Sequence, residues 1–251
     1  MIRFSFLAEN KTDNPGCDAE HGLSIYIEAD GKTILFDTGV SSLFSRNAKF
    51  MNVDLKKVEA VVISHGHYDH AGGVPTFCKI NKTAPIYISK YAFGEVYGKE
   101  HGIMDTMPCS ILWSDSERKD IKERLVLTEE TKWLTDNIVI SGIIPDEMGN
   151  ETTEQFYEKL PDGTMIEDMM KHEQFLAIRN GKHGIFVFSG CSHKGVMPVL
   201  RYTKKLFPNE KMEGLVEGMH LYRAGADTRK AVVEKVIAEN MDMVMPVHCT
   251  G

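Results

Sequence analysis

Three imidazoles and a carboxylate fall within six consecutive residues, His65-Gly66-His67-Tyr68-Asp69-His70. The run before them, Glu59-Ala60-Val61-Val62-Ile63-Ser64, is apolar and β-branched, the pattern of a buried strand. Ala71-Gly72-Gly73 behind them are small enough to let the backbone pack closely or turn into a helix. A fold for this chain must therefore end a rigid strand in a burst of polar side chains, where sheet scaffolds carry reactive groups. Neutral imidazole suits zinc, iron and similar ions, and a carboxylate compensates their charge. The alternative is a solvated polar loop. It does not explain why three of the ten histidines in 251 residues crowd one turn. The cluster reads as a metal site.

Lys+Arg 29 against Asp+Glu 36 gives a net charge of −7, and no basic run stands out. Nucleic acid needs a basic footprint, so it is not an expected partner. A small-molecule substrate is, including an anionic one that metal ions hold, and a homo-oligomer is compatible with this composition. The five cysteines, Cys17, Cys78, Cys109, Cys191 and Cys249, are odd in number and form no CxxC pair. A chain of this length without a disulfide framework fits a reducing compartment, and a cytoplasmic location is expected. No stretch approaches the roughly 20 apolar residues of a membrane span, so no membrane is expected as partner.

Along the chain, residues 1–7 and 23–28 pattern as strands. The turn Ala29-Asp30-Gly31-Lys32 leads into a strand at 33–36, since Asp-Gly between such runs signals a hairpin. Residues 41–50 and 73–80 read as helices and 85–89 as a strand. The region 91–168 is less regular, with strand candidates at 124–127 and 137–144. It is expected to line the pocket as an insertion within one domain spanning 1–251. Strands at 174–178 and 185–188 flank a turn at 180–184, and a helix at 197–206 follows. A strand at 215–221 then precedes a helix at 227–239. On that helix Val232, Val233, Val236 and Ile237 share a face, and Asp227 or Thr228 is positioned to cap its start.

One pattern recurs. Strands lead to Asp37, to the histidine cluster, to His193, to His220 and to His248. Five such ends suggest that one edge of a sandwich gathers them. At this point the chain resembles the metallo-β-lactamase superfamily, whose signature HxHxDH is matched by His65, His67, Asp69 and His70, with Asp37-Thr38-Gly39 upstream. Glu20-His21-Gly22-Leu23-Ser24, Gly190-Cys191-Ser192-His193-Lys194-Gly195, Gly218-Met219-His220-Leu221 and His248-Cys249-Thr250-Gly251 resemble one branch of it. That branch includes proteins named 7,8-dihydropterin-6-methyl-4-(β-D-ribofuranosyl)aminobenzene-5′-phosphate synthase.

The resemblance implies an α/β, four-layer αββα sandwich with one or two divalent metal ions at one edge. Zinc is the expected ion, and iron or manganese accept the same donors. Carried over by position, His65 and His67 hold the first ion, while Asp69, His70 and His248 hold the second. His193 is the preferred third ligand of the first. The departure lies there: the Gly-Asp pair of many relatives reads Gly190-Cys191, and Asp168, His172 and Glu173 before the hairpin are the competing ligands. Asp37 is expected to orient a ligand histidine by hydrogen bonding. Cys191 is either a thiolate ligand or a small core residue. His220 contacts substrate or is a buried structural histidine, and His21 is a pocket-lining candidate. His101, His172 and His183 lack a patterned context and are expected at the surface. Cys249 is expected to point away from the site.

The implied function is that of a metal-dependent enzyme using a metal-bound hydroxide, with Asp69 orienting the nucleophile or relaying its proton. Hydrolysis of an ester, amide, lactone, thioester or phosphoester is the leading reading. The branch implies instead a transferase that condenses a dihydropterin. A non-catalytic metal or ligand sensor on the same fold is the alternative from another class. Oxygen-reducing di-iron relatives carry glutamate where this chain has His67.

Overall fold

The computed structural model describes residues 1–100 and 103–251, so His101 lies outside the described residues. Six strands form a first sheet: β1 (Arg3–Ala8), β2 (Ser24–Ala29), β3 (Lys32–Phe36), β4 (Ala60–Val62), β5 (Ile86–Ser89) and β8 (Leu125–Thr128), in that spatial order. The β2–β3 turn has Asp30 at φ 50° and Gly31 at φ 71°. Two successive left-handed residues are what a two-residue hairpin with matched twist requires. Six more strands form a second sheet: β9 (Lys132–Trp133), β10 (Ile138–Ile140), β13 (Leu176–Arg179), β14 (Ile185–Ser189), β15 (Met212–Glu217) and β16 (Met243–Pro246).

Period-two patterning decides how these sheets stack. Ile34, Phe36 and Val62 face the second sheet, meeting Ile138, Ile140, Leu176, Ile178, Phe186 and Phe188 in a shared core. The alternate residues Leu35 and Val61 point outward, beneath Phe44 of helix α1 (Leu43–Phe50) and Phe77 of helix α3 (Val74–Ile80). On the far side Val187 and Leu215 pack under Val199 and Leu200 of α5 (Val196–Leu206), with Val236 of α6 (Ala226–Ala238) joining them. Three apolar interfaces separate four layers, αββα. The expected sandwich is the observed one.

Strand direction positions the site. β3 and β4 run parallel, as do β14, β15 and β16. Parallel neighbours end at the same edge, so Asp37, His65, Cys191, His193, His220 and His248 follow strand ends that share one rim. Short α2 (Tyr68–Ala71) carries Asp69 and His70 back over it.

Several expectations need correcting. The region 91–168 holds a third, antiparallel sheet, β6 (Glu95–Glu100), β7 (Ile103–Met104), β11 (Phe156–Lys159) and β12 (Met165–Glu167), in the order β12-β11-β6-β7. It also holds helix α4 (Asp115–Ile121), whose start is fixed by a reciprocal capping box between Ser114 and Glu117. The strand expected at 137–144 is only Ile138–Ile140, and β15 stops at Glu217, leaving His220 on a loop. On α6 only Val236 is buried, while Val233 and Ile237 are exposed. Its cap is Gly225, without a side-chain hydrogen bond, in place of Asp227 or Thr228. Among the described residues no helix is long and apolar enough to cross a membrane.

Candidate metal centre

The rim gathers two adjoining sets of donor atoms. One nitrogen from each of His65, His67 and His193 lies within 4.8 Å of the others. His65 Nε2 and His193 Nε2 face each other at 3.2 Å. Beside them Asp69 Oδ2 lies 3.2 Å from His248 Nε2, 3.3 Å from His21 Nε2 and 3.8 Å from His70 Nε2. Cys191 Sγ sits 3.1 Å from His70 Nε2. Thus His65, His67, Asp69, His70, His193 and His248 all converge, with His21 and Cys191 against them.

The outer nitrogens explain the orientation of the inner ones. Asp37 Oδ2 lies 2.7 Å from His70 Nδ1, and Asp37 also accepts from the Ser64 backbone N–H and hydroxyl, both at 2.7 Å. Ser64 Oγ is in turn 2.9 Å from His65 Nδ1, and Asn10 Oδ1 is 2.7 Å from His248 Nδ1. An acceptor behind Nδ1 keeps the proton there and leaves Nε2 a lone pair facing inward, the arrangement that metal-binding histidines use. Asp37 thus stands where a residue orienting a ligand would stand.

Charge follows burial. The ring of His67 is pushed down to about 3 by burial, with His172 adding to it. Burial and neighbouring imidazoles also hold His65 and His193 well below the usual range. These three are neutral, the form that coordinates. For His70 burial opposes the charged form, but Asp37 and Asp69 outweigh it and raise its pKa. Asp69 behaves conversely: burial favours its neutral form, and His70, His21 and His248 together hold it ionised.

A cation fits this set. His67 Nε2 is buried and has no hydrogen-bond partner. An orphaned buried nitrogen, beside two imidazole nitrogens facing each other at 3.2 Å, lacks only an electron-pair acceptor. The backbone carries strain at the same place. Asp37, Ser192, His220 and His248 all adopt positive φ, between 46° and 57°, and such residues cluster at functional sites.

Above the donors opens a cavity of about 500 Å³. His67, Asp69, His193 and His248 lie at its floor. Met107, Leu112, Phe156, Tyr222 and Arg223 line its walls, several of them drawn from 91–168. His220 is on that wall, its Nδ1 2.8 Å from Glu154 Oε2, while Arg223 reaches the other oxygen of Glu154 at 3.1 Å.

The residues before the hairpin have other employment. His172, expected at the surface, is buried: Gly66 N–H donates to its Nδ1 at 3.0 Å, and Asp168 Oδ2 lies 3.0 Å from its Nε2. Glu173 accepts from the backbone N–H of His193 and of Lys194, at 2.6 and 3.0 Å, and so fixes the loop that presents His193. The geometry favours His193 over Asp168, His172 and Glu173 as a donor. Cys249, expected to point away, turns toward the cluster, its donor atom within 4.8 Å of those of Cys191 and His248. Left-handed His248 breaks the strand alternation that the expectation assumed. His183 is exposed, as expected.

Sequence reasoning missed Glu9, Asn10, Ser64 and Glu154. Glu9-Asn10 directly follow β1, so the rule applied to the other strand ends would have found them. Glu9 accepts from the His248 N–H, and Asn10 also donates to the His248 carbonyl at 3.1 Å.

Known proteins share this fold. Residues 17–104 match the metallo-beta-lactamase superfamily. A solved structure described as Tm1679, a metal-dependent hydrolase of the beta-lactamase superfamily, matches with a TM-score of 0.82 and 28% identity. The match covers 100% of this chain and 89% of that one. The superfamily match thus covers residues 17–104, and the whole chain shares that structure's fold. The chain is also similar to an uncharacterised protein of Methanocaldococcus jannaschii, 29% identical over 241 residues, 93% of this chain and 85% of the relative. It is equally similar to a protein of that organism named 7,8-dihydropterin-6-methyl-4-(beta-D-ribofuranosyl)-aminobenzene-5'-phosphate synthase. That one is 29% identical over 248 residues, 93% of this chain and 82% of the relative.

Proposed function

We propose that this protein is a metal-dependent hydrolase acting on a small-molecule ester, amide, thioester or phosphoester. The observation that carries the reading is the unpartnered, buried His67 Nε2 in a three-imidazole set beside Asp69, His70 and His248, at the floor of an open cavity. Divalent ions held by these residues, zinc above all, supply Lewis acidity and make water reactive at neutral pH.

The protein's own groups do the rest. Asp69 is ionised and reaches the cavity, so it orients a water and accepts its proton. His220, backed by Glu154, faces the same space and is placed to give a proton to a departing group. Phe156, whose ring centroid is 5.0 Å from His67 and 4.7 Å from His193, walls that side off from water.

Similarity to the named synthase supports a second reading, condensation of a dihydropterin with an aminobenzene ribosyl phosphate. Both readings need a loaded metal site, and a panel of substrates separates them. Metal content is measured first, followed by turnover of ester, thioester, phosphodiester and dihydropterin substrates. Wild-type protein is expected to hold one or two ions per chain and to turn over one class. His67→Ala should lose metal and activity together while its circular dichroism is unchanged. A folded His67→Ala protein with full metal content and turnover would refute the assignment.

A further inference from the structure

We propose that Glu217 is a positioning residue for the metal centre: as an uncharged carboxylic acid it holds the Ser192 hydroxyl, and through Ser192 the loop that presents His193. The inference rests on the metal-centre reading above and gives a role to a buried acid that the chemistry at the rim does not use. Glu217 ends β15, and its side chain is fully buried. Its Oε1 accepts the Ser192 hydroxyl, while Oε2 is buried with no hydrogen-bond partner. The groups that act on it are two serine hydroxyls and a second carboxyl, Glu173, with no lysine, arginine or histidine among them.

Those surroundings suit the neutral acid. An ionised carboxylate has about four lone-pair sites to satisfy, and this one meets only the hydroxyls of Ser192 and Ser189. Burial and the like charge of Glu173 both push its pKa well above the usual carboxylate range. A buried charge without a counter-ion costs far more than one unpaired neutral hydroxyl. Glu173 differs in its contacts, because it accepts two backbone N–H groups, those of His193 and Lys194.

The two acids divide the loop between them. Glu173 fixes the backbone of residues 193 and 194, and Glu217 fixes the side chain of Ser192, which sits at φ 50°. Few non-glycine residues hold that left-handed conformation. Ser189 Oγ lies 3.0 Å from Ser192 Oγ and completes a chain of hydroxyls ending at Glu217, and the Gly195 N–H returns to the Ser192 carbonyl at 2.7 Å. The turn so held swings His193 toward His65, where the two Nε2 atoms meet at 3.2 Å. Glu217 is itself anchored. Ser189 stands opposite it in the parallel β14–β15 register, and the next residue, Gly218, donates its N–H to the Gly190 carbonyl at 2.7 Å. A Cβ at Gly218 would lie 2.5 Å from that same oxygen, so only glycine lets the strand ends lock this closely.

The test is a double-mutant cycle on the zinc affinity of the full chain, read by chelator competition. Glu217→Ala should weaken zinc binding about 10–100-fold, the loss expected when an outer partner of a metal site is removed. Ser192→Ala should lose a similar factor, and the double variant little more than either alone. Glu217→Gln keeps an acceptor oxygen and stays uncharged, so it should bind zinc within a few-fold of wild type. Val236→Ala, a core truncation on α6, controls for lost stability and should lower Tm without moving zinc affinity. Infrared spectra need no damaging variant. Wild-type protein at neutral pH should show the carbonyl stretch of a buried protonated carboxyl, shifted in D2O and missing from Glu217→Gln. Losses that add in the double variant, a Glu217→Gln protein as impaired as Glu217→Ala, or the absence of that band would overturn this inference and leave the metal centre standing. Wild-type protein that binds no zinc would overturn both.

Discussion

Replacing Asp37 by alanine should be among the most damaging single changes outside the donor set itself. Its carboxylate is fully buried and accepts from three donors, the Ser64 N–H, the Ser64 hydroxyl and His70 Nδ1. Each buried donor left without an acceptor costs about 1–3 kcal/mol. Breaking one side of a buried charged pair costs about 3–5 kcal/mol. These overlap, so a loss of about 4 kcal/mol is expected for the metal-free protein. For a domain of this size each kcal/mol moves Tm by about 2–4 °C, which gives a fall of about 8–16 °C in calorimetry. Zinc affinity, measured by chelator competition, should drop about 10–100-fold because His70 loses the acceptor that fixes its tautomer. Asp37→Asn separates the two effects. It keeps an acceptor for the Ser64 N–H but sets an amide N–H against His70 Nδ1, driving the imidazole proton to Nε2. Its stability loss should be smaller and its affinity loss at least as large. An Asp37→Ala protein with wild-type Tm and wild-type zinc affinity would refute this account of the site.

Three further outcomes follow from the same contacts. His193→Ala should lower metal content as severely as His67→Ala, whereas His172→Ala, which frees the Gly66 N–H and takes the imidazole from Asp168, should keep the full count by elemental analysis. His248→Ala should remove one ion and leave the His65, His67 and His193 set loaded, visible as stoichiometry reduced by one. The metal-free protein should weaken in acid. His67 titrates near 3 when folded, and His65, His193 and His248 are also depressed by burial, yet all four take protons near 6.5 when unfolded. Their folded neutrality therefore costs nothing above pH 6.5 and destabilises progressively below it, by at most about 1.4 kcal/mol per pH unit per histidine. His70, whose pKa is raised, works in the opposite direction and only above pH 6.5. Denaturant titrations at pH 7, 6 and 5 should show a loss of several kcal/mol, and a flat profile would contradict the burial of these rings.

How much of this was legible depended on whether a residue's neighbours were local. The β-branched run before His65 and the Asp-Gly turn carry their structural reason in adjacent residues, and both elements formed where the pattern placed them. The third sheet did not announce itself. Half the residues of its strands Glu95–Glu100 and Phe156–Lys159 are charged, and its core is essentially Val96, Phe156 and Met170. So little apolar surface leaves almost no periodic signal. His172 was misjudged for a different reason: its partners, Gly66 and Asp168, come from two separate segments, one of them 106 residues away. Cys249 was misjudged because side-chain alternation holds only while φ stays extended, and His248 at φ 49° ends it.

Those left-handed residues tie the fold to its chemistry. Asp37, Ser192, His220 and His248 each bend the chain just past a strand end. Non-glycine residues there cost on the order of 1–3 kcal/mol each. Parallel strands alone would deliver their next residues to a common rim but aim them along the strands, away from one another. The bends turn the side chains inward until nitrogen faces nitrogen at 3.2 Å. That crowding leaves the buried His67 Nε2 without any hydrogen-bond partner. A cation offsets it directly, and so the strain, the orphaned nitrogen and the depressed imidazole pKa values have one shared explanation. The site is shaped for a bound metal, and the free protein bears the cost of holding that shape without one.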